Sequence, residues 1–492
     1  MQVFDSCRRE KVEFKPRNDE FVTMYLCGPT VYDEAHLGHA KSSVSFDLLV
    51  RVLRASGKQV VWARNYTDID DKILAKMQQS GKSLEEVTSF YIARYEEQMR
   101  ALNVSEPTFK PLATQYVSAM VELIERLVSR GAAYILQDGV YFSVGSDTGY
   151  LTLSGRDANA QNQARVASAE GKRDERDFVL WKFDEEWFES PWGRGRPGWH
   201  TECVAMIESL FSNSNLTKFF EQNEAANLSK PNLTAGCGEG LAGEKFLLDI
   251  HAGGADLLFP HHENEASQCR QAFCCELAKY WLHNGFVQVD GEKMSKSLKN
   301  YFLIQDALKI APAEALRFYL LSVHYRANFN YNEEDLLASK KRLDKIYRLK
   351  KRLSQTAGEG KRDERLCAEI LAFLQDDLNV SAALSLVDLF ISNTNAALDA
   401  NPKDKAAKLQ AAATLRWIEE LFGVGLVDEN EWFCFGVDEA FRAEISRLIL
   451  QRSEAKKAKD YAKADEIRKA LLERKIALMD TPNGVVWEKV ED

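Results

Sequence analysis

Four residues of this chain carry side chains that a metal ion prefers, although they lie far apart in the sequence: Cys27, Cys203, His261 and Glu265. Zinc in proteins takes four ligands drawn from thiolate, imidazole and carboxylate groups. His261 and Glu265 stand four positions apart, so one helix can present both to a single ion, whereas the two cysteines must come from other elements. Each residue also has an ordinary explanation, because buried cysteines are common and a histidine and a glutamate at this spacing often decorate an exposed helix.

Three further residues compete for the same role. His262 and Glu263 follow His261 directly, so spacing alone does not choose among them. Cys237 is a weaker candidate, because it lies in a polar, glycine-rich stretch. The nine cysteines are irregularly spaced, which does not indicate a disulfide framework, and we expect a chain without a secretory leader to keep its thiols reduced. The thiols are therefore available for metal.

A second set of residues suits phosphate chemistry. His36 and His39 flank Gly38 near the start of the chain, and Lys293 and Lys296 lie in a Lys-Met-Ser-Lys-Ser run past its middle. Histidines three apart share one face of a first helical turn, whose N–H groups suit phosphate, and Gly38 leaves room for a ligand to approach the backbone. Either motif alone is explained by chance, and a lysine pair is usually solvated surface. Together, the first after a strand and the second after a glycine, they predict ATP-dependent activation of an acyl group.

These residues need a scaffold, and the surrounding pattern indicates a parallel α/β sheet. Residues 21–27 form a β-rich run that ends in glycine and proline, which is typical of a strand entering a loop. The motif at His36 then opens a helix through Val50, and residues 59–65 supply the next strand. This order predicts a right-handed parallel unit with its nucleotide site at the carboxyl ends of the strands.

The pattern changes from about residue 107 to residue 189. A helix around 118–124 and short strands such as 139–142 predict a domain inserted between two halves of the nucleotide-binding fold. We expect the sheet to resume near Trp199 and to finish near Asn300.

After Tyr301 the chain is predicted to be almost wholly helical. Apolar residues recur at helical spacing at Leu378, Ala382, Leu386 and Leu389, and again at Tyr461, Ala464, Ile467 and Leu471. The fold class is therefore α/β: a Rossmann-like parallel-sheet catalytic domain with an inserted connective domain, followed by a helical bundle and a C-terminal recognition region. The predicted segments are 1–106 and 191–300 for the two halves of the sheet domain, 107–190 for the connective domain, 301–430 for the bundle and 431–492 for the C-terminal region.

Composition is that of an ordinary globular protein. At 492 residues, with 45% apolar and 28% charged residues, the chain is long enough for two to four domains. It holds no apolar run of the roughly 18 residues that a membrane span needs, and its first residues do not begin a signal peptide, so we expect a cytoplasmic protein with no membrane partner. The net charge is −10. A local excess of basic residues at 444–475 is nevertheless compatible with a contact to nucleic acid.

Three longer segments frame the candidate residues, at Gly28–Asp33, Gly198–Cys203 and Phe259–Glu265. Together with the His-Leu-Gly-His and Lys-Met-Ser-Lys-Ser motifs, they resemble the cysteinyl-tRNA synthetases among the class I aminoacyl-tRNA synthetases. The resemblance runs from about Tyr25 to about Trp487. It implies activation of L-cysteine with ATP and transfer to tRNA(Cys) by a monomer with one zinc ion, the ATP being accompanied by Mg²⁺.

The resemblance also assigns roles to individual residues. It places the zinc ligands at Cys27, Cys203, His261 and Glu265. It implies that Asp256 accepts a hydrogen bond from the ribose of ATP, although a helix-capping aspartate is an equal alternative. Thr67 and Trp199 would wall the amino-acid pocket, the alternatives being a helix cap for the threonine and core packing for the tryptophan.

Zinc would explain how such an enzyme selects its amino acid. A cysteine substrate offers a thiolate that can join the metal as a soft ligand, whereas serine offers a poorly acidic hydroxyl and alanine offers nothing. A site built for one polar group discriminates strongly against substrates that lack it. The inserted domain therefore need not be an editing domain.

One stretch departs from the family pattern. In the family, the zinc cysteine and the histidine-rich segment are a short loop apart, whereas Cys203 and His251 are widely separated here. The extra residues, at about 212–247, are rich in Asn, Ser, Gly and Glu. They predict an exposed insertion that can be deleted without loss of cysteine activation.

The C-terminal segment is interpreted as the RNA-binding end. Basic residues recur at helical spacing between Arg452 and Arg468, followed by a turn and Trp487. This combination suits single-stranded RNA, whose bases stack on aromatic rings, although a charged helix is usually just solvated and a tryptophan is usually packed. A relative that joins cysteine to an amino sugar in mycothiol synthesis lacks this end, and a noncatalytic zinc-dependent RNA-binding protein would not need both phosphate motifs.

Overall fold

The computed structural model of the protein describes residues 1–157, 171–222, 246–289, 292–293, 301–354, 356, 358–481 and 484–490. These residues belong to two compact units. The first comprises Met1–Ile304, Leu320–Tyr331 and Ala368–Leu384, and the second comprises Gln305–Tyr319, Asn332–Cys367 and Ser385–Asp492.

The first unit holds thirteen described strands and seven described α-helices, with short 3₁₀ turns at Ala113–Tyr116 and Val144–Ser146. The strands are β1 (Gln2–Asp5), β2 (Glu10–Glu13), β3 (Phe21–Leu26), β4 (Gln59–Arg64), β5 (Ala133–Ile135), β6 (Gly139–Phe142), β7 (Phe178–Phe188), β8 (Gly195–Pro197), β9 (Phe246–Gly254), β10 (Glu276–Asn284), β11 (Val287–Val289), β12 (Glu292–Lys293) and β13 (Phe329–Tyr331). The helices are α1 (Leu37–Ala55), α2 (Asp71–Ser80), α3 (Leu84–Ala101), α4 (Val117–Ser129), α5 (Trp199–Phe211), α6 (Asn213–Gln222) and α7 (Glu263–Phe273).

A parallel sheet in the order β10-β9-β3-β4 forms the centre of the first unit. All six residues of β3 are buried, as expected for a strand covered on both faces. The predicted strand, helix and strand are observed as β3, α1 and β4. The sheet resumes at Phe246 rather than near Trp199, which instead begins α5.

The region predicted as an inserted domain forms an antiparallel sheet in the order β5-β6-β7-β8, with α4 beside it. Its apolar residues do not form a separate core. Val117 and Leu127 of α4 belong to the same buried cluster as Val61 of β4 and Leu248 of β9. The connective region and the central sheet therefore share one hydrophobic core.

The start of the predicted insertion is not an exposed loop. Residues 213–222 form α6, and Leu216 and Phe220 are each only 1% exposed within the shared core. The ring of Phe220 lies 5.1 Å from that of Phe21. The polar residues of this stretch concealed an amphipathic helix, so a deletion that begins at Ser214 would remove part of the core. The rest of the stretch, including Cys237, lies outside the described residues.

We therefore expect Phe220→Ala to lower the free energy of unfolding by about 3–5 kcal/mol, the usual effect of removing a buried aromatic ring. Denaturant unfolding followed by fluorescence would measure the change. Glu221→Ala, on the exposed neighbouring residue, is the matched control and should stay within about 0.5 kcal/mol of the parent. Equal midpoints for the two variants would show that α6 does not support the core.

Beyond residue 303 the described chain is mostly helical, as predicted. The elements are α8 (Ile304–Ile310), α9 (Ala313–Ser322), α10 (Glu333–Leu353), α11 (Glu364–Leu374), α12 (Val380–Ala400), α13 (Lys405–Phe422), α14 (Glu429–Phe433), α15 (Glu439–Lys457), α16 (Tyr461–Glu473), β14 (Ile476–Thr481) and β15 (Gly484–Lys489). Two of the apolar positions predicted at helical spacing differ from that expectation. Leu378 lies before α12, with a φ of 54°, and Leu389 lies on α12 but is 55% exposed.

The C-terminal end forms its own small core. α15, α16 and the antiparallel pair β14–β15 enclose a cluster of five buried aliphatic residues, Ile445, Ile467, Leu471, Ile476 and Leu478. Trp487 is partly buried and packs against this cluster, so its contact with RNA stays a prediction. Tyr461, one of the apolar positions at helical spacing, is 62% exposed.

None of the helices within the described ranges combines the length and the apolar character needed to cross a membrane.

Candidate metal and nucleotide site

The four predicted metal ligands come together at the carboxyl end of the central sheet. Cys27 directly follows β3, and a π-helical turn at Leu258–His262 follows β9 and carries His261. Glu265 lies in the first turn of α7, and Cys203 lies on α5. Adjacent parallel strands deliver their following loops to one edge of a sheet, which explains why residues this far apart in sequence meet.

Close backbone packing fixes the position of Cys27. Its N–H donates to the carbonyl of Ala252 at 3.1 Å, which ties the residue to β9. A Cβ atom on Gly28 would lie 1.7 Å from the carbonyl oxygen of Asn65. Only glycine fits at this position, so the neighbouring thiol is held close to β4.

Two spacings between the donor atoms match the edges of a metal tetrahedron. The Sγ atoms of Cys27 and Cys203 are 3.7 Å apart, and the Cys203 Sγ lies 3.7 Å from Nε2 of His261. Tetrahedral zinc with bonds of about 2.3 Å to sulfur and about 2.0 Å to nitrogen sets these edges at about 3.5–3.8 Å. Oε1 of Glu265 lies 2.7 Å from the same Nε2, so the carboxylate and the imidazole form a buried ion pair. Two thiols, an imidazole and a carboxylate with donor atoms within 4.8 Å of one another fit the donor set of a zinc ion.

A second donor set overlaps the first. Cys27 and Glu265 also lie within ligand range of His251 and His262. Nε2 of His251 is 2.6 Å from Oε2 of Glu265, and Nε2 of His262 is 3.3 Å from the Cys27 sulfur. Geometry alone therefore allows either pair to complete the site. Glu263, the other sequence alternative, accepts hydrogen bonds from the backbone of residues 151 and 154 instead.

The pKa shifts in the cluster show where negative charge collects. Burial raises the pKa of Glu265, but His261 and His251 outweigh it and hold that pKa well below its usual range. Burial also opposes ionisation of Cys27, but its hydrogen bond with Cys203 and the nearby histidines lower the pKa of the thiol overall. Burial lowers the pKa of His261, whereas Glu265 and Cys27 raise it, for a net value of about 10. The cluster is therefore a buried network in which the negative charge of Glu265 and Cys27 faces the positive charge of protonated His261.

Several supporting residues were not singled out from the sequence. The chain has eight histidines, and five of them, His200, His251, His261, His262 and His283, lie in this cluster. Nδ1 of His200 lies 2.9 Å from Nδ1 of His261, and Nδ1 of His262 lies 2.8 Å from Nε2 of His283. The concentration of scarce histidines between residues 200 and 283 was the available signal.

Trp199 contacts this cluster directly, whereas Thr67 contacts Glu202, the residue before Cys203. Oγ1 of Thr67 is hydrogen-bonded to Oε2 of buried Glu202 at 2.8 Å, so the threonine is not a helix cap. The ring of Trp199 stacks on His261 with centroids 4.1 Å apart. It is only partly buried at the start of α5, which is not the environment of a core tryptophan. Asp256 is exposed in the turn after β9, and the N-caps of the next helical segments are Leu257 and His262, so the helix-capping alternative is not observed.

The first phosphate motif opens α1 as predicted. His36 is the N-cap, and its Nδ1 accepts a hydrogen bond from the N–H of Gly38 at 3.1 Å. Nδ1 of His39 accepts in turn from the N–H of His36 at 3.3 Å, and the two rings stack 3.9 Å apart. Both Nδ1 atoms are thus engaged with the backbone.

The second phosphate motif is described only in part. The backbone of Lys293 lies in β12, where it pairs with Gln288 of β11, and its side chain is outside the described atoms. Lys296 lies outside the described residues. After the motif, the carbonyl of Phe302 accepts from the N–H of Leu37, and the N–H of Ile304 donates to the carbonyl of Ala35, each at 3.0 Å. The chain that follows the lysine motif is therefore hydrogen-bonded to the histidine motif.

Comparison with known proteins places these features in one family. A family profile described as the tRNA synthetases class I (C) catalytic domain matches residues 13–218 and 241–341. A cysteine--tRNA ligase of Campylobacter concisus is 55% identical over 99% of both chains, and that of Campylobacter hominis is 56% identical over 99% of this chain and 98% of its own. A solved methionyl-tRNA synthetase of Mycobacterium tuberculosis, bound by methionyl-adenylate, shares the fold, with a TM-score of 0.58 at 13% identity over 82% of this chain and 92% of its own.

Proposed function

The chain belongs to the cysteine--tRNA ligases among the class I aminoacyl-tRNA synthetases, and from this premise we propose which residues carry out each part of the reaction. The enzyme activates cysteine with ATP and transfers it to tRNA. Both the sugar-joining enzyme and the noncatalytic RNA-binding protein are set aside, because cysteine--tRNA ligases match the chain over nearly its full length.

We propose zinc as the metal and Cys27, Cys203, His261 and Glu265 as its ligands. Two thiolates, one imidazole and one carboxylate suit zinc better than a harder ion. The spacing of the two sulfur atoms and of Cys203 and His261 supports this set, and its two thiolates distinguish it from the alternative set of Cys27, His251, His262 and Glu265, which has one. Bound zinc would supply a Lewis-acid position for the thiolate of the cysteine substrate.

In this proposal the remaining histidines orient the ligands. The hydrogen bond of His251 to Oε2 of Glu265 leaves Oε1 for the metal, and His262 lies against the Cys27 sulfur. Partners of this kind fix the rotamer and the basicity of metal ligands. Trp199, stacked on His261, and Thr67, held by Glu202, are the proposed walls of the pocket for the substrate side chain.

For the nucleotide, we propose that His36, Gly38 and His39 bind the phosphates of ATP. Both Nδ1 atoms accept from backbone N–H groups, which fixes the orientation of the two rings at the start of α1. Lys293 and Lys296 would add positive charge, with Mg²⁺ accompanying the phosphates, and exposed Asp256 would bind the ribose. These groups act on charge that develops at the α-phosphate when the cysteine carboxylate attacks.

The mixed thiol, imidazole and carboxylate cluster is the single observation that carries this proposal. The test is exchange of pyrophosphate into ATP, measured with cysteine and with serine on the same zinc-loaded protein. We expect exchange with cysteine and a preference over serine of at least about 10⁴, as for other sites built around one polar group. Comparable exchange with both amino acids would refute selection by zinc.

The C-terminal region is proposed to bind the anticodon end of the tRNA, as a contact separate from the catalytic residues. With Trp487 packed, the exposed aromatic residue on the basic segment is Tyr461, the first residue of α16. Lys457, Lys459 and Lys463 lie within four positions of it.

We expect Tyr461→Ala to raise the KM for tRNA by about 5–150-fold, equivalent to the roughly 1–3 kcal/mol of one stacking contact. Cysteine-dependent pyrophosphate exchange should not change. Leu472→Ala, at a second exposed apolar position of α16, is the control and should leave both values unaltered. Aminoacylation kinetics at varied tRNA concentration would distinguish them, and an unchanged KM in Tyr461→Ala would remove the tyrosine from the RNA contact.

Further parts of the proposal rest on the sequence. We propose a cytoplasmic monomer. We also propose that the insertion begins after Gln222, since the family profile is interrupted between residues 218 and 241 and α6 belongs to the core. The bundle and the C-terminal region keep the boundaries predicted above, whereas the connective domain extends to Pro197, because β8 pairs with β7.

A further inference from the structure

Three cysteines that are not among the proposed zinc ligands cluster around the end of α7. Cys269 lies in the helix and Cys275 just beyond it, and both are buried. Their Sγ atoms are 4.0 Å apart. Cys274 forms the left-handed C-cap of the helix, with a φ of 58°, and is exposed. We call these three residues the thiol cluster.

Cys274 is the exposed member of the thiol cluster. Nη1 of Arg130, at the C-cap of α4, donates to the Cys274 sulfur at 3.0 Å, which holds that sulfur at the surface. An exposed sulfur is the one that a dissolved oxidant reaches first. The other surface cysteine among the described residues, Cys7, lies in a different setting, because partial burial and then Asp5 raise the pKa of its thiol.

We propose that the thiol cluster is an oxidant-sensitive dithiol site, with Cys274 as the point of entry and Cys269–Cys275 as the final disulfide. The oxidant is hydrogen peroxide. The Cys274 thiolate attacks one peroxide oxygen, the O–O bond breaks, and sulfenic acid and hydroxide form, the hydroxide taking a proton to become water.

Two exchange steps complete the oxidation. The thiol of Cys275 attacks the Cys274 sulfur and displaces water, which leaves a disulfide between the adjacent residues. The thiol of Cys269 then attacks the sulfur of Cys275 and releases Cys274 as a thiol. Overall, two thiols lose two electrons and two protons, and one peroxide becomes two waters.

Closure of this disulfide affects the proposed metal site through α7. A disulfide requires an S–S distance of about 2.05 Å, so the two sulfur atoms must approach by about 2 Å. Cys269 lies four residues after Glu265, one turn further along the same helix face. Moving the Cys269 sulfur toward Cys275 would therefore shift α7, the helix that carries the proposed ligand Glu265.

The test uses the reduced, zinc-loaded full chain treated with hydrogen peroxide, alkylated and digested with trypsin. Cleavage places Cys269 in peptide 246–270 and the other two cysteines in peptide 271–279, so the disulfide links two peptides that are otherwise separate. We expect this linked pair in the parent protein and its absence in Cys275→Ser. Cys274→Ser should slow its formation by about tenfold, whereas Cys367→Ser, a buried cysteine of α11, should not change it.

Two results would overturn the proposal. Peroxide could convert Cys274 to its sulfinic acid while Cys269 and Cys275 remain open to alkylation after unfolding, which would show that no thiol resolves it. Alternatively, the linked pair could form equally fast in Cys274→Ser, which would remove the entry role. Zinc content and circular dichroism before oxidation confirm that each variant is folded. After oxidation, release of zinc to a chromogenic chelator should be faster in the parent than in Cys275→Ser.

Discussion

Cys203→Ser is expected to lose most of the bound zinc and to slow cysteine-dependent pyrophosphate exchange by at least about a hundredfold. Even residues that only support a metal ligand contribute 10–100-fold in affinity or activity, and this substitution removes a proposed ligand that is 1% exposed. Cys367→Ser, also buried but on α11, is the control and should keep full zinc content.

The same measurement decides between the two overlapping donor sets. If the first set is correct, His261→Ala should lose the metal, whereas His251→Ala should retain it with weaker affinity because only the orientation of Glu265 is disturbed. Zinc retained by His261→Ala and lost by His251→Ala would show that His251 and His262 are the ligands.

His39→Asn is expected to slow formation of cysteinyl-adenylate by about 10²–10³, the range found when one group that stabilises transition-state charge is removed. Asparagine keeps an acceptor near the position of Nδ1, which accepts from the N–H of His36, but it has nothing at the position of Nε2. The affinity for cysteine should change little, since the proposed role arises only in the transition state.

Single-turnover activation and cysteine binding would be measured side by side. His39→Gln is the matched variant, because it keeps a polar group near Nε2 and loses the acceptor that caps α1. We expect it to retain more activity than His39→Asn and to be less stable. The reverse order of activities would show that His39 serves mainly as a cap.

The sequence predicted the first parallel unit because its signals are local. A buried strand, a histidine N-cap and a second strand follow one another within residues 21–65, and each is specified by its own residues. The proposed zinc ligands were identified through resemblance to a family. Their convergence depends on the carboxyl edge of β3 and on the π turn after β9, which no local pattern describes.

Other features depended on tertiary packing and were not predicted. Helix α6 was interpreted as an exposed insertion because its asparagine and serine content outweighed the spacing of Leu216 and Phe220. Trp487 follows a basic segment, as an RNA contact would, but its partly buried ring packs on a small core. The ring beside Phe220 comes from Phe21, far away in the sequence, and the core beside Trp487 is formed by α15, α16 and β14, so composition alone could not reveal either contact.

The shared core of the connective region and the central sheet has a thermodynamic consequence. Residues of α4 and of β4 and β9 belong to one buried cluster, so neither region can open without exposing apolar surface of the other. We therefore expect slowly exchanging amides in β6 and in β3 to report the same opening free energy. The two regions, although separate in sequence, would then unfold as one cooperative unit.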